Sequence, residues 1–395
     1  MAAPLSIALE LGLYVEFKRG IDYYVDNVVE ALAGADARNR YLLFSYFFRD
    51  HARKAARLPH PPAANFGTLY RRFPESLVRA LDLERGLPLV EKGLLAGRGF
   101  DVYHVLAGGR LPHVRGAKTV VTFFDLAPEA FPVDGSAPDP GRKISSPSTW
   151  DTARRADRLV ATGDYTKNDL IRYYGLPEEK IAVIPTGVNL KVFREPSAEE
   201  RARARARYAL PESYFMVIGP FVPPRRTNAE STVRAFAALN RAGRLAGRRL
   251  VFVGARNAHL EGLLALAAEL GVGELCAATG YAALEDLPAL YALSDGVVHP
   301  TSVEGFGYGL EVLACGAPFL TSDLPGVLES VGDAALAVTP NDVPALVEAM
   351  GALIEEPALR AGLRAKGPAR AARYSYARIA ERLVALYESL GRGGR

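Results

Sequence analysis

Short apolar runs rich in β-branched residues alternate with helix-patterned segments along the whole chain, and this alternation limits the fold more than any other feature. In the first half the runs are 5–11 (LSIALEL), 41–48 (YLLFSYFF), 101–106 (DVYHVL), 118–124 (KTVVTFF), 157–163 (DRLVATG) and 180–187 (KIAVIPTG). Strands that alternate with helices pair in parallel, because a parallel neighbour needs a crossover long enough to hold a helix. Helices are expected over 21–34, where the apolar residues of IDYYVDNVVEAL recur at helical spacing, and over 166–175, with Thr166 as cap and Gly175 as stop. After about Lys191 the pattern dissolves into VFREPSAEERARARARYALPES, which reads as an interdomain linker with a short charged helix. A second series follows at 213–219, 248–254, 275–280, 296–302, 318–322 and 334–338. The expected architecture is therefore α/β, with two consecutive doubly wound parallel sheets over 1–195 and 196–373. Ligands in such sheets bind beyond the carboxyl ends of the strands, so the cleft between the halves is the first place to look.

A chain of 395 residues has room for two full cores. No uncharged run reaches the length of a membrane-spanning helix, and Glu10 interrupts the apolar start, which reads as a core strand and not as a secretion signal. Two cysteines, Cys276 and Cys315, are too few for a disulfide framework or a structural zinc site, and a cytoplasmic location is expected. The net charge of +4 lies wholly in residues 1–195, where 27 basic residues face 23 acidic ones. Between Arg49 and Arg98 ten basic residues face five acidic ones, with 77–95 (LVRALDLERGLPLVEKGLL) as an amphipathic candidate. No nucleic-acid-binding module accompanies this patch. An anionic acceptor or a peripheral contact with a membrane surface fits it better, and a solvated helix face remains the plain alternative.

Several chemistries fail on the residues themselves. The chain has no GxxxxGK[ST], HExxH or GxSxG motif and no two aspartates at i, i+2, and its six histidines are scattered. Lys366 is the single lysine after Lys191, which leaves no candidate for a Schiff base to pyridoxal phosphate in the second half. The informative segment is 295–322, DGVVHPTSVEGFGYGLEVLACGAPFLTS: a buried strand, a glycine-rich loop with Glu304, then a helix starting near Gly309 that carries Glu311. Gly305, Gly307 and Gly309 remove side chains where backbone N–H groups could reach a phosphate or a sugar hydroxyl, and the helix start adds positive potential. A glycine-rich turn with Glu311 in the first helical turn is the structural alternative.

EGFG followed by a Leu-Glu helix and ACGAP closely resembles the donor-site motif of family 4 retaining glycosyltransferases, which have the GT-B fold of two facing Rossmann-like domains. The likeness runs along nearly the whole chain, through KRGIDYYVDNVVEAL, DYTKNDLIRYYGLPEEKIAVIPTGVNLKVF, GYAALEDLPALYALSDGVVHPTSVEGFG and SDLPGVLESVGDAALAVTPNDVPALVEAM. It implies that Glu304 contacts the transferred sugar and that the backbone around Phe306, Gly307, Tyr308, Gly309 and Leu310 holds sugar hydroxyls and diphosphate. It also implies that Glu311 binds the ribose, that Arg225 and Arg226 clamp the diphosphate, and that the backbone near Tyr281 meets the base. Gly20 stands for the family's first glycine loop, flanked by Lys18, Arg19 and Asp22. Asp125 follows the position where the family carries a histidine, here Phe124; a sugar or acceptor contact and a turn-capping role both fit it. The final helix, 374–395, is expected to pack back on the first domain.

This chain departs from the family pattern at several points. Glu304 and Glu311 enclose six residues where seven are usual, Arg226 stands where a lysine is usual, and Pro220 replaces a frequent arginine. Arginine keeps the charge and can bind phosphate oxygens bidentately. The resemblance implies a hexosyltransferase, with mannose a candidate sugar, that uses a nucleotide-diphosphate sugar and a glycan or lipid-linked acceptor in surface polysaccharide synthesis. It implies no metal and no other cofactor. The departures also fit a nucleotide-sugar or glycan binding protein without turnover.

Overall fold

The computed structural model describes all residues except 1–2, 13–19, 127–146, 220, 222–226, 303–305, 308 and 393–395. The chain divides into two units: Met1–Gly187 together with Tyr376–Arg395, and Val188–Ser375. The first holds strands β1 (Ser6–Glu10), β2 (Arg40–Tyr46), β3 (Phe66–Arg71), β4 (Val102–Val105), β5 (Lys118–Phe123), β6 (Arg158–Ala161) and β7 (Ile181–Val183). They form one parallel sheet in the order β3-β2-β1-β4-β5-β6-β7. The second holds β8 (Tyr214–Ile218), β9 (Arg249–Val253), β10 (Cys276–Gly280), β11 (Gly296–His299), β12 (Phe319–Ser322) and β13 (Leu336–Val338), parallel in the order β10-β9-β8-β11-β12-β13. Each sheet starts in its middle and winds out both ways, so each has a switch point, between β1 and β4 and between β8 and β11.

Strands covered by helices on both faces read as continuous apolar runs, and β4 and β11 are buried along their whole length. β3 gave no such signal. It is an edge strand of sequence FGTLYR, half-buried or exposed at every residue, so it lacks the apolar density of its neighbours.

The helix Gly20–Ala35 buries Tyr24, Val25, Val28, Val29 and Leu32, a single stripe at helical spacing. The final helix, Tyr376–Arg392, joins the same core through Ile379, Ala380, Leu383, Tyr387 and Leu390. Tyr387 also reaches into the sheet: its Oη lies 2.7 Å from Nδ1 of His104 on β4, and the opposite Nε2 lies 2.9 Å from Thr122 Oγ1 on β5. Burial holds this imidazole neutral, pushed down to about 3.

Two local expectations change. The helix over Asp164–Tyr174 starts after Gly163, so Thr166 is inside its first turn and donates its hydroxyl to the Phe124 carbonyl at 2.9 Å instead of capping. Gly175 does end that helix, at φ 64°. The charged stretch after Lys191 holds the helix Ala198–Arg207, opened by a reciprocal Ser197–Glu200 capping box and belonging to the second unit.

Candidate active site

The carboxyl edge of the second sheet collects Tyr281, Phe306, Gly307, Gly309, Leu310 and Glu311 among the described residues. β8 and β11 are hydrogen-bonded neighbours, so the chain leaving each emerges at one place. Glu304, Arg225, Arg226 and Tyr308 lie outside the described residues, as do Lys18, Arg19 and Pro220. Asn228, two residues after Arg226, donates its side-chain amide to the Pro300 carbonyl at 2.8 Å, just past the end of β11. Asn228 sits at φ 48°, a left-handed position that asparagine tolerates, and opens the helix Ala229–Arg241. On the other side, Asn257 caps the helix Ala258–Glu269 and donates to the Phe221 carbonyl at 2.7 Å. Phe221 and Asn228 are thus each held by a side-chain hydrogen bond.

Adjacent strands β8, β9 and β10 end in or next to Gly219, Gly254 and Gly280. Gly219 donates to Val253 O at 2.8 Å, and Gly254 donates to Gly280 O at 2.9 Å. The buried Phe221 ring lies over this row: a Cβ on Gly254, where φ is 155°, would sit 2.9 Å from it.

Beyond β11 the chain is stitched to β12. Thr321 donates to His299 O at 3.1 Å, and the Ser322 hydroxyl donates to Thr301 O. Phe306 faces inward, its ring 5.1 Å from Tyr374 in an edge contact, which leaves its backbone as the part of the residue a ligand would meet. Gly307 and Gly309 have φ of 100° and 90°. The helix that follows spans only Leu310–Ala314, because Gly316, at φ 66°, turns the chain within ACGAP. Five residues give a weak dipole, so the glycine amides matter more than the helix potential expected above. Leu310 is buried, whereas Glu311 in the first turn is open to solvent. The protein atoms packed around it raise its carboxyl above the ordinary range. Tyr281, just after β10, is 74% exposed and can offer its ring to a planar ligand.

In the first unit, Gly20 is the first residue of its helix, and among the described residues no atom lies within 4 Å of where its Cβ would stand. The Phe124 ring meets Tyr24 edge-on at 5.0 Å, and its carbonyl takes the hydroxyls of Thr162 and Thr166. Asp125 follows, half-buried. Burial pushes the nearby Asp169 carboxyl up to about 6 against its hydrogen bond from Tyr165, and the Asp125 charge adds to the rise. At the end of β1, burial likewise lifts Glu10 to about 7 although the Tyr103 hydroxyl donates to it. The basic stretch forms helical turns over Glu75–Leu83 and Leu89–Leu94, with Val78, Val90 and Leu94 buried and Leu77 and Leu87 exposed. Their turn is organised by the fully buried Asp82, which accepts from the Val90 and His113 amides at 2.8 and 2.7 Å. A recess of about 670 Å³ opens at the opposite, amino-terminal edge of this sheet, where Lys118 and Asp157 pair at 3.1 Å. It lies away from the strand ends that bind ligands in such folds. Among the described residues no helix is long and apolar enough to cross a membrane, and no group of side chains could hold a metal ion.

Residues 201–370 match the model of the glycosyl transferases group 1, and residues 18–192 match that of glycosyltransferase family 4. D-inositol 3-phosphate glycosyltransferase 1 of Catenulispora acidiphila is 31% identical over 86% of this chain and 85% of its own length. The chain belongs to the family 4, group 1 glycosyltransferases. This glycosyltransferase transfers a sugar from a nucleotide-sugar donor. It is also 27% identical to O-antigen chain mannosyltransferase B of Escherichia coli, over 71% of this chain and 72% of that one. Its two-unit fold is the GT-B fold. It superimposes on Anabaena HepE, solved with UDP and glucose, with a TM-score of 0.71 at 17% identity, covering 98% and 100% of the two chains. Sucrose-phosphate synthase from Thermosynechococcus elongatus gives 0.72 at 23% identity, with both chains fully covered.

Sequence reasoning missed the residues that hold the glycosyltransferase's site in shape. Asn228 and Asn257 carried a usable signal, asparagine directly before a helical pattern. Phe221, Thr321 and Ser322 carried none, since their partners are remote carbonyls and glycines.

Proposed function

We propose that this glycosyltransferase moves a hexose, mannose being the first candidate, with retention of configuration from a nucleotide-diphosphate sugar to a glycan or lipid-linked acceptor of a surface polysaccharide. The observation that carries the reading is the Asn228 to Pro300 hydrogen bond at the β8/β11 switch point. It ties Asn228, two residues after Arg226, to Pro300, four residues before Glu304, beyond two adjacent strands of one sheet, which supports a shared role for the two segments. In this reading the arginines and the glycine-loop amides stabilise charge that develops on the departing diphosphate. Such preorganised donors are worth about 3 to 4 kcal/mol each in a closed site. The bond from the anomeric carbon to phosphate oxygen breaks, the acceptor oxygen bonds the same face, and the acceptor proton passes to the leaving phosphate. Glu304 would touch the sugar, Glu311 the ribose, and Tyr281 the base. Asp125 is the first unit's candidate for a sugar or acceptor contact.

Calorimetry with UDP, GDP and ADP, followed by turnover of the matching sugar nucleotides, tests this reading. Glu304→Gln should lower turnover much more than nucleotide affinity, whereas Arg225→Ala/Arg226→Ala should weaken binding of the diphosphates themselves. Unchanged diphosphate affinity in a folded double variant would overturn the clamp and favour a binding protein without turnover. A phosphate-bearing acceptor is a second reading. The basic excess between Arg49 and Arg98 and the likeness to a D-inositol 3-phosphate glycosyltransferase favour it. Exposed Phe48, Leu77 and Leu87 in that region also support a peripheral membrane contact, which requires stronger sedimentation with anionic than with neutral vesicles.

A further inference from the structure

Asp286 stands directly before the helix Leu287–Leu293, where an aspartate ordinarily caps the helix with its side chain. It makes no such bond. Its carboxylate, 1% exposed, turns instead to the end of the helix Ala198–Arg207, accepting from Arg207 Nη1 at 2.8 Å and from Tyr208 Oη at 2.9 Å, with Arg203 3.8 Å away. The same phenol oxygen accepts the Ala283 N–H at 3.1 Å. Tyr208 therefore spans two points of the turn that follows β10: the amide of Ala283 and the carboxylate of Asp286. The Ala283 carbonyl closes the turn on itself, accepting from the Asp286 and Leu287 amides at 3.0 and 3.3 Å, and the Ala282 side chain is buried. Within this anchored turn only Tyr281 stands out as a large exposed apolar side chain.

We infer that Tyr208 is a positioning residue for the nucleobase, holding the turn 281–286 in the shape that presents its backbone and the Tyr281 ring. The inference rests on the donor reading above. Its geometric support is the strand order: β10 lies two strands from β8, about 10 Å across the sheet at ordinary spacing, so a nucleotide with its diphosphate beyond β8 would carry its ribose and base toward β10. A preferred capping residue withheld from its own helix and committed to the turn's neighbour is a local rule broken where function lies. Removing the phenol oxygen leaves the Ala283 amide without its partner and lets the turn drift, whereas the phosphate-binding end of the site keeps every group it has.

The test is calorimetry of UDP, GDP, ADP and pyrophosphate on the wild-type protein, Tyr208→Phe and Arg203→Ala. Tyr208→Phe should weaken the nucleotide that the wild type prefers by about tenfold, raise KM for its sugar donor with kcat little changed, and leave pyrophosphate affinity intact. Arg203→Ala removes a partner of the same carboxylate without touching Ala283 and should leave nucleotide affinity unchanged. Equal nucleotide affinity in Tyr208→Phe and wild type would overturn the positioning role. A parallel loss for pyrophosphate would also overturn it, by marking general damage to the unit. Should the wild type bind pyrophosphate but none of the nucleotides, the donor reading itself fails, an outcome distinct from either of these.

Discussion

Gly309, in the loop proposed to hold the donor, has little freedom to change. Its φ of 90° is one that residues with a side chain rarely adopt, and a Cβ there would stand 2.3 Å from Cε1 and 2.9 Å from Cδ1 of Phe319. Phe319 cannot withdraw, because it is fully buried on β12. Gly309→Ala should therefore cost about 1 to 2 kcal/mol in backbone strain and about 1 to 3 kcal/mol in overpacking. The combined loss of about 2 to 5 kcal/mol would lower the melting temperature of a unit of this size by about 4 to 20 °C. Relief can come only by moving Gly307–Leu310, so nucleotide affinity should fall as well. Gly362→Ala provides the internal contrast. That glycine lies inside the helix Pro357–Ala372 with nothing within 4 Å of its Cβ, and the substitution should stabilise by about 0.4 to 1 kcal/mol. Scanning calorimetry with and without UDP, GDP or ADP reads both effects. A Gly309→Ala protein that melts with the wild type and binds nucleotide equally would refute the argument.

Three further predictions concern titration. Nucleotide affinity should rise with pH as Glu311 ionises to accept ribose hydroxyls, the rise lying above the ordinary carboxylate range, and Glu311→Gln should flatten that profile in calorimetry. Glu10 keeps its proton to about 7 in the fold but loses it near 4.5 when unfolded, so its favourable contribution is complete below 4.5 and is lost as pH rises through 7. At about 1.4 kcal/mol per pH unit, Glu10→Gln should regain up to about 3 kcal/mol at pH 8 and nothing at pH 4, as read by urea denaturation. His104 acts in the opposite sense: held neutral down to about 3 against an ordinary 6.5, it gives stability that is full above 6.5 and lost on acidification. His104→Phe should flatten that acid slope while costing about 1 to 3 kcal/mol at pH 7, because the Tyr387 and Thr122 hydroxyls lose their partner.

The sheets were legible because buried parallel strands are dense in apolar residues over their whole length: 101–106 and 296–302 enclose β4 and β11. Edge strand β3 was illegible for the converse reason, since half-exposure leaves no pattern. Thr166 misled because a hydroxyl at a helix start fits a cap, whereas a remote carbonyl, that of Phe124, claimed it. In the candidate site, Gly307 and Gly309 of EGFGYG do take the positive φ that glycine allows. The bracing side chains were not legible, because Asn228, Ser322 and Tyr208 each find a partner at least 21 residues away.

The final helix completes a core whose other parts are made much earlier. Val25, Val28 and Leu32 leave the ribosome long before the residues that cover them, which begin at Tyr376, after the 188 residues of Val188–Ser375 have been added. At about 5 to 20 residues per second the nascent first unit waits about 10 to 40 s with that stripe uncovered. Chaperone demand during synthesis is thus built into the order of the chain: the second unit can finish folding first although it is translated later, and a ribosome stalled before Tyr376 displays an apolar surface that no later event on that chain will hide.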